Sequence, residues 1–348
     1  MNAEPIIDVH GLTVDFLGGA RPLRAVAGVD LMLRPGETLA LLGESGSGKS
    51  VTLRALMRLL PERRVVIGGR LRVDGQDVRA LSNRDLSAYR GRTIAMIFQE
   101  PELALDPVYR LGDQIAEAVM RHDGVSRRAG RARALELFER VRIPSAVQRL
   151  DNYAHEMSGG MRQRAMIALA LACRPKVLLA DEPTTALDAT VQIQVLLLLR
   201  ELQRELGLAV IFVTHDVGVA IEIADRMAVM YAGRIVETGG CRDVIRAPAH
   251  PYTAGLLASR TGRALPMGAR LPVIPGAPPD MESLPPGCAF AARCQQAQSL
   301  CVRGDPPEIS VAPAHRARCF LPPSLPSPAP LPNPPPQAGE GRVGEGGG

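Results

Sequence analysis

The residues Gly43-Glu44-Ser45-Gly46-Ser47-Gly48-Lys49-Ser50 combine three glycines, an ammonium and hydroxyls in the spacing G-x-x-x-x-G-K-S. Glycines in that pattern let successive backbone N–H groups turn inward around a phosphate chain, where a Cβ would obstruct them. Lys49 is spaced to reach the β- and γ-phosphates, and the Ser50 hydroxyl to ligate Mg²⁺. This chemistry needs a strand before the loop and a helix after it. Residues 37–42 supply an apolar run, and Leu53, Leu56, Met57 and Leu60 recur at helical spacing behind the loop. The N-terminus of that helix adds unpaired donors and the positive end of a dipole. A ligand-free glycine turn accounts for the loop but not for its flanks, so the stretch reads as a nucleotide phosphate site.

Three further polar groups follow apolar runs that read as buried strands. Residues 93–98 lead into Gln99-Glu100-Pro101, residues 176–180 into Asp181-Glu182-Pro183, and residues 208–213 into Thr214-His215-Asp216. Side chains at the ends of parallel strands face the crevice in which such sheets bind ligands. There Asp181 is expected to hold Mg²⁺ through its water shell, and Glu182 to orient and polarise an attacking water. His215 is placed to donate to a γ-phosphate. Ser158 is a good helix N-cap, and the following Gly159-Gly160 admits close approach of phosphate oxygens. Phe16, one of six phenylalanines, either stacks on an adenine ring or closes a hairpin core.

The elements that must position these groups are legible in outline. Residues 6–16, 26–33 and 65–73 alternate as strands, with turns at Gly18-Gly19, Pro35-Gly36 and Asp74-Gly75. Residues 111–150 turn helical and Arg-rich, with Arg127, Arg128, Arg131, Arg133 and Arg140 on solvated faces of an inserted helical subdomain at about 100–165. A long helix at 191–206 and strands at 226–231 and 234–237 close the nucleotide domain near residue 246. The chain of 348 residues is 46% apolar, enough for a real core. Aromatics are 3% with no Trp, and the net charge of +5 is spread along the chain, so a nucleic-acid platform or basic stripe is not expected. The N-terminus lacks the features of a signal peptide, and no apolar run approaches the ~20 residues that span a bilayer. The chain therefore reads as soluble and cytoplasmic, with any membrane role coming through partners.

Taken in order, the loop 43–50, Gln99, residues 158–162, the strand 177–182, Ala186-Leu187-Asp188 and His215 resemble the nucleotide-binding subunit of an ATP-binding cassette (ABC) transporter over residues 6–320. The resemblance implies an α/β fold: a P-loop NTPase (RecA-like) core, an antiparallel β subdomain, an inserted α-helical subdomain and a small Cys-containing C-terminal extension. It implies ATP at Phe16, at Gly43, Glu44, Ser45, Gly46, Ser47, Gly48, Lys49 and Ser50, and at Gln99. It also implies Mg²⁺ at Ser50, Gln99 and Asp181, with Glu182 and His215 catalytic. Two cassettes face each other head to tail in that family, so Ser158, Gly159, Gly160 and Met161 would serve the ATP of the partner subunit, with Asp188 in the loop between the two. The signature departs from the commonest form, with Met157 in place of Leu and Met161 in place of Gln.

Four of the six cysteines, Cys288, Cys294, Cys301 and Cys319, crowd the C-terminal part of the chain. Disulfides are foreign to a reducing compartment, so a metal or cluster site is the natural reading. The spacing is not a C-x-x-C pair, which counts against zinc without removing it. Cys173 and Cys241 stand alone and read as inert thiols. The run Pro248-Ala249-His250-Pro251-Tyr252-Thr253 and the Pro-rich, Cys-bearing segment after it are similar to ATPases of dipeptide and oligopeptide permeases. That resemblance favours a 4Fe-4S cluster on the four cysteines, cross-linking an extension at 247–320 too Pro-rich to build a core. His315 reads as a surface histidine, with a ligand of the cysteine site as the alternative, and residues 321–348 as a disordered tail. The implied function is ATP-driven peptide import, with nickel, an opine or another small solute as alternative cargo. A soluble cassette acting on DNA or ribosomes is the rival class, and the chain lacks the second cassette or coiled coil typical of it. The implied partners are two membrane-spanning permease subunits, a second, paralogous cassette ATPase and, indirectly, a periplasmic binding protein. They put the chain peripherally at the cytoplasmic face of the inner membrane.

Overall fold

The computed structural model describes residues 4–18, 21–185, 187–259 and 273–320. The expected disordered tail and Ala186 lie outside these residues. Among the described residues no helix is long and apolar enough to cross a membrane.

The strands are β1 (Ile7–Phe16), β2 (Leu23–Leu33), β3 (Thr38–Leu42), β4 (Val65–Val73), β5 (Gln76–Asp77), β6 (Ile94–Ile97), β7 (Val177–Asp181), β8 (Ala209–Thr214), β9 (Arg226–Tyr231), β10 (Arg234–Gly240), β11 (Glu308–Ala312) and β12 (His315–Arg318). They form an antiparallel sheet in the order β2-β1-β4-β5 and a mixed sheet in the order β11-β12-β10-β9-β3-β8-β7-β6. In the mixed sheet β6, β7, β8, β3 and β9 run parallel, so their C-terminal ends share one edge. Parallel strands are covered on both faces, and accordingly every residue of β3, β7 and β8 is buried. Their side chains divide by alternation. Leu39, Leu41, Leu179 and Ile211 pack under the antiparallel sheet, whereas Leu178, Ala180 and Phe212 face the helices.

The helices are α1 (Lys49–Leu56), α2 (Asn83–Arg92), α3 (Pro101–Ala104), α4 (Leu111–Asp123), α5 (Arg127–Arg140), α6 (Ala146–Arg149), α7 (Gly159–Ala170), α8 (Ala189–Leu206), α9 (Val217–Ile223), α10 (Cys241–Arg246) and α11 (Pro251–Ala258). Between β6 and β7, α3 to α7 form the inserted helical region, closed around Ile115, Val119, Leu137, Phe138 and Ile167. Its arginines are more engaged than a solvated face requires, since Arg131 bridges Asp113 at 2.7 Å and Asp151 at 2.8 Å.

The C-terminal segment departs from the expected extension in two ways. First, β12 pairs with β10 through Glu237↔Ala317 and Thr238↔Arg316, so the segment lengthens the sheet of the nucleotide core. Second, it does build a core. Tyr252 and Phe290 pack with Met227, Val229, Tyr231 and Val244, and Ile274, Met281 and Leu284 close over them. His315 is likewise interior and not a surface residue, at 2% exposure. Its Nε2 lies 2.7 Å from Glu237 Oε1. Glu237 in turn accepts the N–H groups of Ala249 at 2.8 Å and His250 at 2.9 Å. A buried carboxylate needs such partners, and the β12 register delivers the imidazole to it.

Candidate active site

The sheet order β6-β7-β8-β3 brings Gln99, Asp181-Glu182, His215 and the loop 43–50 to one edge, side by side. The loop's shape depends on two of its glycines. Gly43 has φ 155° and Gly48 has φ 102°, and a Cβ would come within 2.3 Å of Met230 O at the first and 2.6 Å of Ala25 O at the second. Behind Gly48, α1 starts without a side-chain cap, which leaves its first N–H groups for a ligand. Ser47 Oγ is buried with no hydrogen-bond partner, as a side chain kept for phosphate would be.

Lys49 is 5% exposed, and its Nζ donates to Gly43 O at 2.8 Å and Glu44 O at 2.9 Å. Burial pushes its pKa down, opposed by the carboxylates of Glu182, Asp181 and Glu44. Ser50 Oγ donates to Asp181 Oδ1 at 2.9 Å. Asp181 is 2% exposed, and burial pushes its carboxyl pKa up despite that bond and the nearby Arg54 and Lys49. A hydroxyl and a buried, under-neutralised carboxylate are hard oxygen donors of the kind Mg²⁺ takes, so the pair fits that ion.

Glu182 follows with φ 46°, a left-handed conformation that costs a non-glycine residue about 1–3 kcal/mol and tends to mark functional sites. Its N–H donates to Val213 O at 3.1 Å, and its carboxylate accepts from Thr185 Oγ1 at 3.1 Å. The same carboxylate lies 3.2 Å from His215 Nδ1. A carboxylate held between a hydroxyl and an imidazole at a strand end can orient a water and take its proton.

Other expected residues are not joined to this edge by hydrogen bonds. Gln99 is exposed beyond β6 and makes none to the loop, Asp181 or Glu182. Phe16 ends β1 opposite Leu23 and Val65, half-buried against the core of the antiparallel sheet. Ser158 caps α7 by accepting the Met161 N–H at 3.4 Å, and Met161 packs against the helical core. A Cβ on Gly160 would come 2.7 Å from Val191 Cγ1. Asp188 caps α8 through the N–H groups of Thr190 at 3.1 Å and Val191 at 3.0 Å. Among the described residues no hydrogen bond links 158–161 to 43–50.

Cys288, Cys294, Cys301 and Cys319 line one pocket together with Phe290 and Phe320. Burial raises the thiol pKa of Cys288 and Cys294, and the neighbouring thiols push the same way. The expected metal site is not formed for a single ion: among the described residues no three His, Cys, Asp or Glu side chains could hold one. Burial pushes Cys173 and Cys241 up to about 11, in keeping with inert thiols.

Sequence reasoning missed two side chains that touch the loop. Tyr252 Oη accepts the Glu44 N–H at 2.9 Å, and the Arg293 guanidinium pairs with the Glu44 carboxylate at 2.7 Å. Tyr252 is 208 residues from Glu44 and Arg293 is 249, so no local pattern could announce them.

The fold and this edge define a phosphate-loop ATPase. Residues 26–185 match the ABC transporter family, and residues 236–301 match the C-terminal region of oligopeptide/dipeptide transporters. A Brucella melitensis biotype 1 protein, provisionally named a peptide import ATP-binding protein, is 49% identical over 334 residues, spanning 92% of this chain and 98% of its own. A protein of that name from Brucella abortus strain 2308 is 48% identical over 327 residues, spanning 94% and 97%. Among solved structures, the dimeric bacterial ABC transporter cassette MJ0796 matches with a TM-score of 0.61 at 28% identity, covering 68% of this chain and 99% of that one. It is also known in a post-hydrolysis state with ADP and Pi. Clostridium perfringens cbiO1, part of the ABC transporter complex cbiONQ, matches at 0.60 and 27% identity over 69% and 90% of the two chains. The chain belongs to the ABC transporter ATPases, in the branch that carries the oligopeptide/dipeptide C-terminal region.

Proposed function

We propose that this chain is the ATP-hydrolysing subunit of a peptide importer, bound peripherally to two membrane-spanning permease subunits at the cytoplasmic face. The observation that carries this reading is the union, in one sheet, of the edge bearing 43–50, Asp181, Glu182 and His215 with strands flanking the oligopeptide/dipeptide-type region 236–301. In this reading the loop 43–50 wraps the triphosphate, and Lys49 leaves the Gly43 and Glu44 carbonyls for the β- and γ-oxygens. Phe16 lies against the adenine. Ser50, Asp181 and Gln99 hold Mg²⁺, which when bound neutralises charge across the β- and γ-phosphates. Glu182 orients the attacking water and takes its proton, and His215 donates to a γ-phosphate oxygen.

Residues 158–161 are read as serving the ATP of a second cassette, with Asp188 beside that contact. Support comes from Ser158 capping α7, which places 158–161 at a helix N-terminus. We take the second cassette to be a paralogous chain, and a periplasmic binding protein to deliver the cargo. The four cysteines are read as holding a 4Fe-4S cluster. This is supported by four thiols lining one pocket together with two phenylalanines. When bound there, such a cluster would tie residues 288–301 to the end of β12 through iron–thiolate bonds. Anaerobically purified chain should then contain iron and acid-labile sulfide, both lost in Cys301→Ser.

The function is tested by purifying tagged chain from detergent-solubilised membranes and identifying what comes with it. Two apolar permease chains and a second cassette ATPase are expected. Recovery with DNA or ribosomes and no membrane protein would overturn the importer reading.

A further inference from the structure

Glu44, the second residue of the phosphate loop, is gripped on three sides. Its N–H donates to Tyr252 Oη at 2.9 Å, and its carbonyl accepts from Lys49 Nζ at 2.9 Å. Its carboxylate accepts from both ends of the Arg293 guanidinium, Nη1 at 2.7 Å and Nη2 at 3.0 Å. Such a fork-to-fork pair fixes direction as well as distance. The Arg293 side chain is 6% exposed and that of Glu44 26%.

Arg293 is itself held by groups outside the loop. Its Nε donates to Pro275 O at 2.8 Å, and Nη1 reaches Tyr231 Oη at 3.3 Å. The guanidinium lies 5.9 Å from the ring centroids of Tyr231 and Phe290. It ends the short helical turn Ala291–Arg293, which runs between Cys288 and Cys294 in the wall of the cysteine pocket. The packing that fixes the C-terminal segment therefore also fixes the guanidinium.

A carboxylate in a loop that must receive a triphosphate is electrostatically unfavourable unless it is neutralised. The Lys49 ammonium already lies within the field of Glu44. We propose that Arg293 is a positioning residue for ATP: from the C-terminal segment it neutralises Glu44 and holds the phosphate loop in its phosphate-binding shape. ATP affinity thus depends on the packing of a segment that touches no phosphate. This rests on the reading of residues 43–50 as the ATP site.

The test is titration of the full-length chain with MgATP, with hydrolysis followed in parallel. Arg293→Met is expected to weaken ATP binding about tenfold, with turnover at saturating ATP changed less than about twofold. Combining it with Glu44→Gln should restore most of the affinity, because the unpaired carboxylate is then gone. A merely structural role would give no such rescue. Arg293→Gln keeps a donor toward Pro275 where Nε stood, and should show the same loss and the same rescue if Arg293→Met folds poorly. Unchanged affinity in either folded variant, or a loss that Glu44→Gln does not recover, would overturn the proposal. Lys49→Ala separates the two layers. Normal ATP binding by that variant removes the ATP-site reading itself, whereas its failure beside an unaffected Arg293→Met removes only the role of Arg293.

Discussion

At the edge where β3, β7 and β8 end, each functional side chain sits within a few residues of the strand that aims it. In the C-terminal segment the polar groups meet across the chain instead: His250 and Glu237 are 13 residues apart, His315 and Glu237 78, and Arg293 and Glu44 249. His215 at the edge also differs from that segment in how wet it is, while Lys49 and Asp181 beside it are buried. The His215 side chain at the edge is 64% exposed, whereas those of Glu237 and His315 are 0% and 3% exposed. A group left in water can be replaced at a cost to chemistry alone. A buried ionic cluster cannot, because its partners have no water to turn to. Replacing His215 should therefore cost function and leave the fold, and breaking the C-terminal cluster should cost both.

The largest expected effect is at the edge. In the proposed site Lys49→Ala removes the ammonium that would meet the β- and γ-phosphates, and ATP affinity should fall about a thousandfold, with only a modest melting shift from the lost bonds to Gly43 O and Glu44 O. A large melting shift would mean that the edge is structural and would erase the contrast. Next comes Glu237→Ala, which strands the His315 ring and the N–H groups of Ala249 and His250. We expect a loss of about 3 kcal/mol in urea unfolding, with a drop in ATP affinity because Tyr252 follows directly on this turn. Wild-type stability would show that the cluster does not carry the segment.

The most gradual effect is with pH. Burial lowers the pKa of His250 to about 4 against the opposing charge of Glu237, whereas an unfolded histidine titrates near 6.5. The folded ring stays neutral and the unfolded one takes a proton, so stability is full above pH ~6.5 and falls toward pH ~4. The slope is at most about 1.4 kcal/mol per pH unit. Amide exchange around α11 should accelerate over that window while β3 and β8 hold. Equal behaviour in both regions would deny that His250 is the cause.

The same contrast governs what could be read in advance. The phosphate loop was legible because strand, glycines and helix form one continuous unit, and β4 and β9 fall at their expected bounds. The helix α1 is shorter than its apolar spacing suggested, ending at Leu56, because Arg58 turns left-handed at φ 49°. Glu182 and His215 were each placed by an apolar run, but their 3.2 Å contact follows only from β7 lying beside β8. The four cysteines converge on one pocket as their clustering suggested, yet not on a single-ion geometry. Arg293, Tyr252 and His315 were invisible as partners, since the pairing of β12 with β10 and the packing of the aromatic core decide their neighbours. A Pro-rich composition hid that core because its apolar side chains are scattered and not periodic.

Glu182 carries the central claim, that this edge hydrolyses ATP, and Glu182→Gln tests it most directly. Nucleotide affinity and steady-state turnover should be measured on the same preparation. The account predicts affinity within about twofold of wild type and turnover reduced about a hundredfold or more, the size expected for losing a general base. Turnover near the wild-type rate would contradict it.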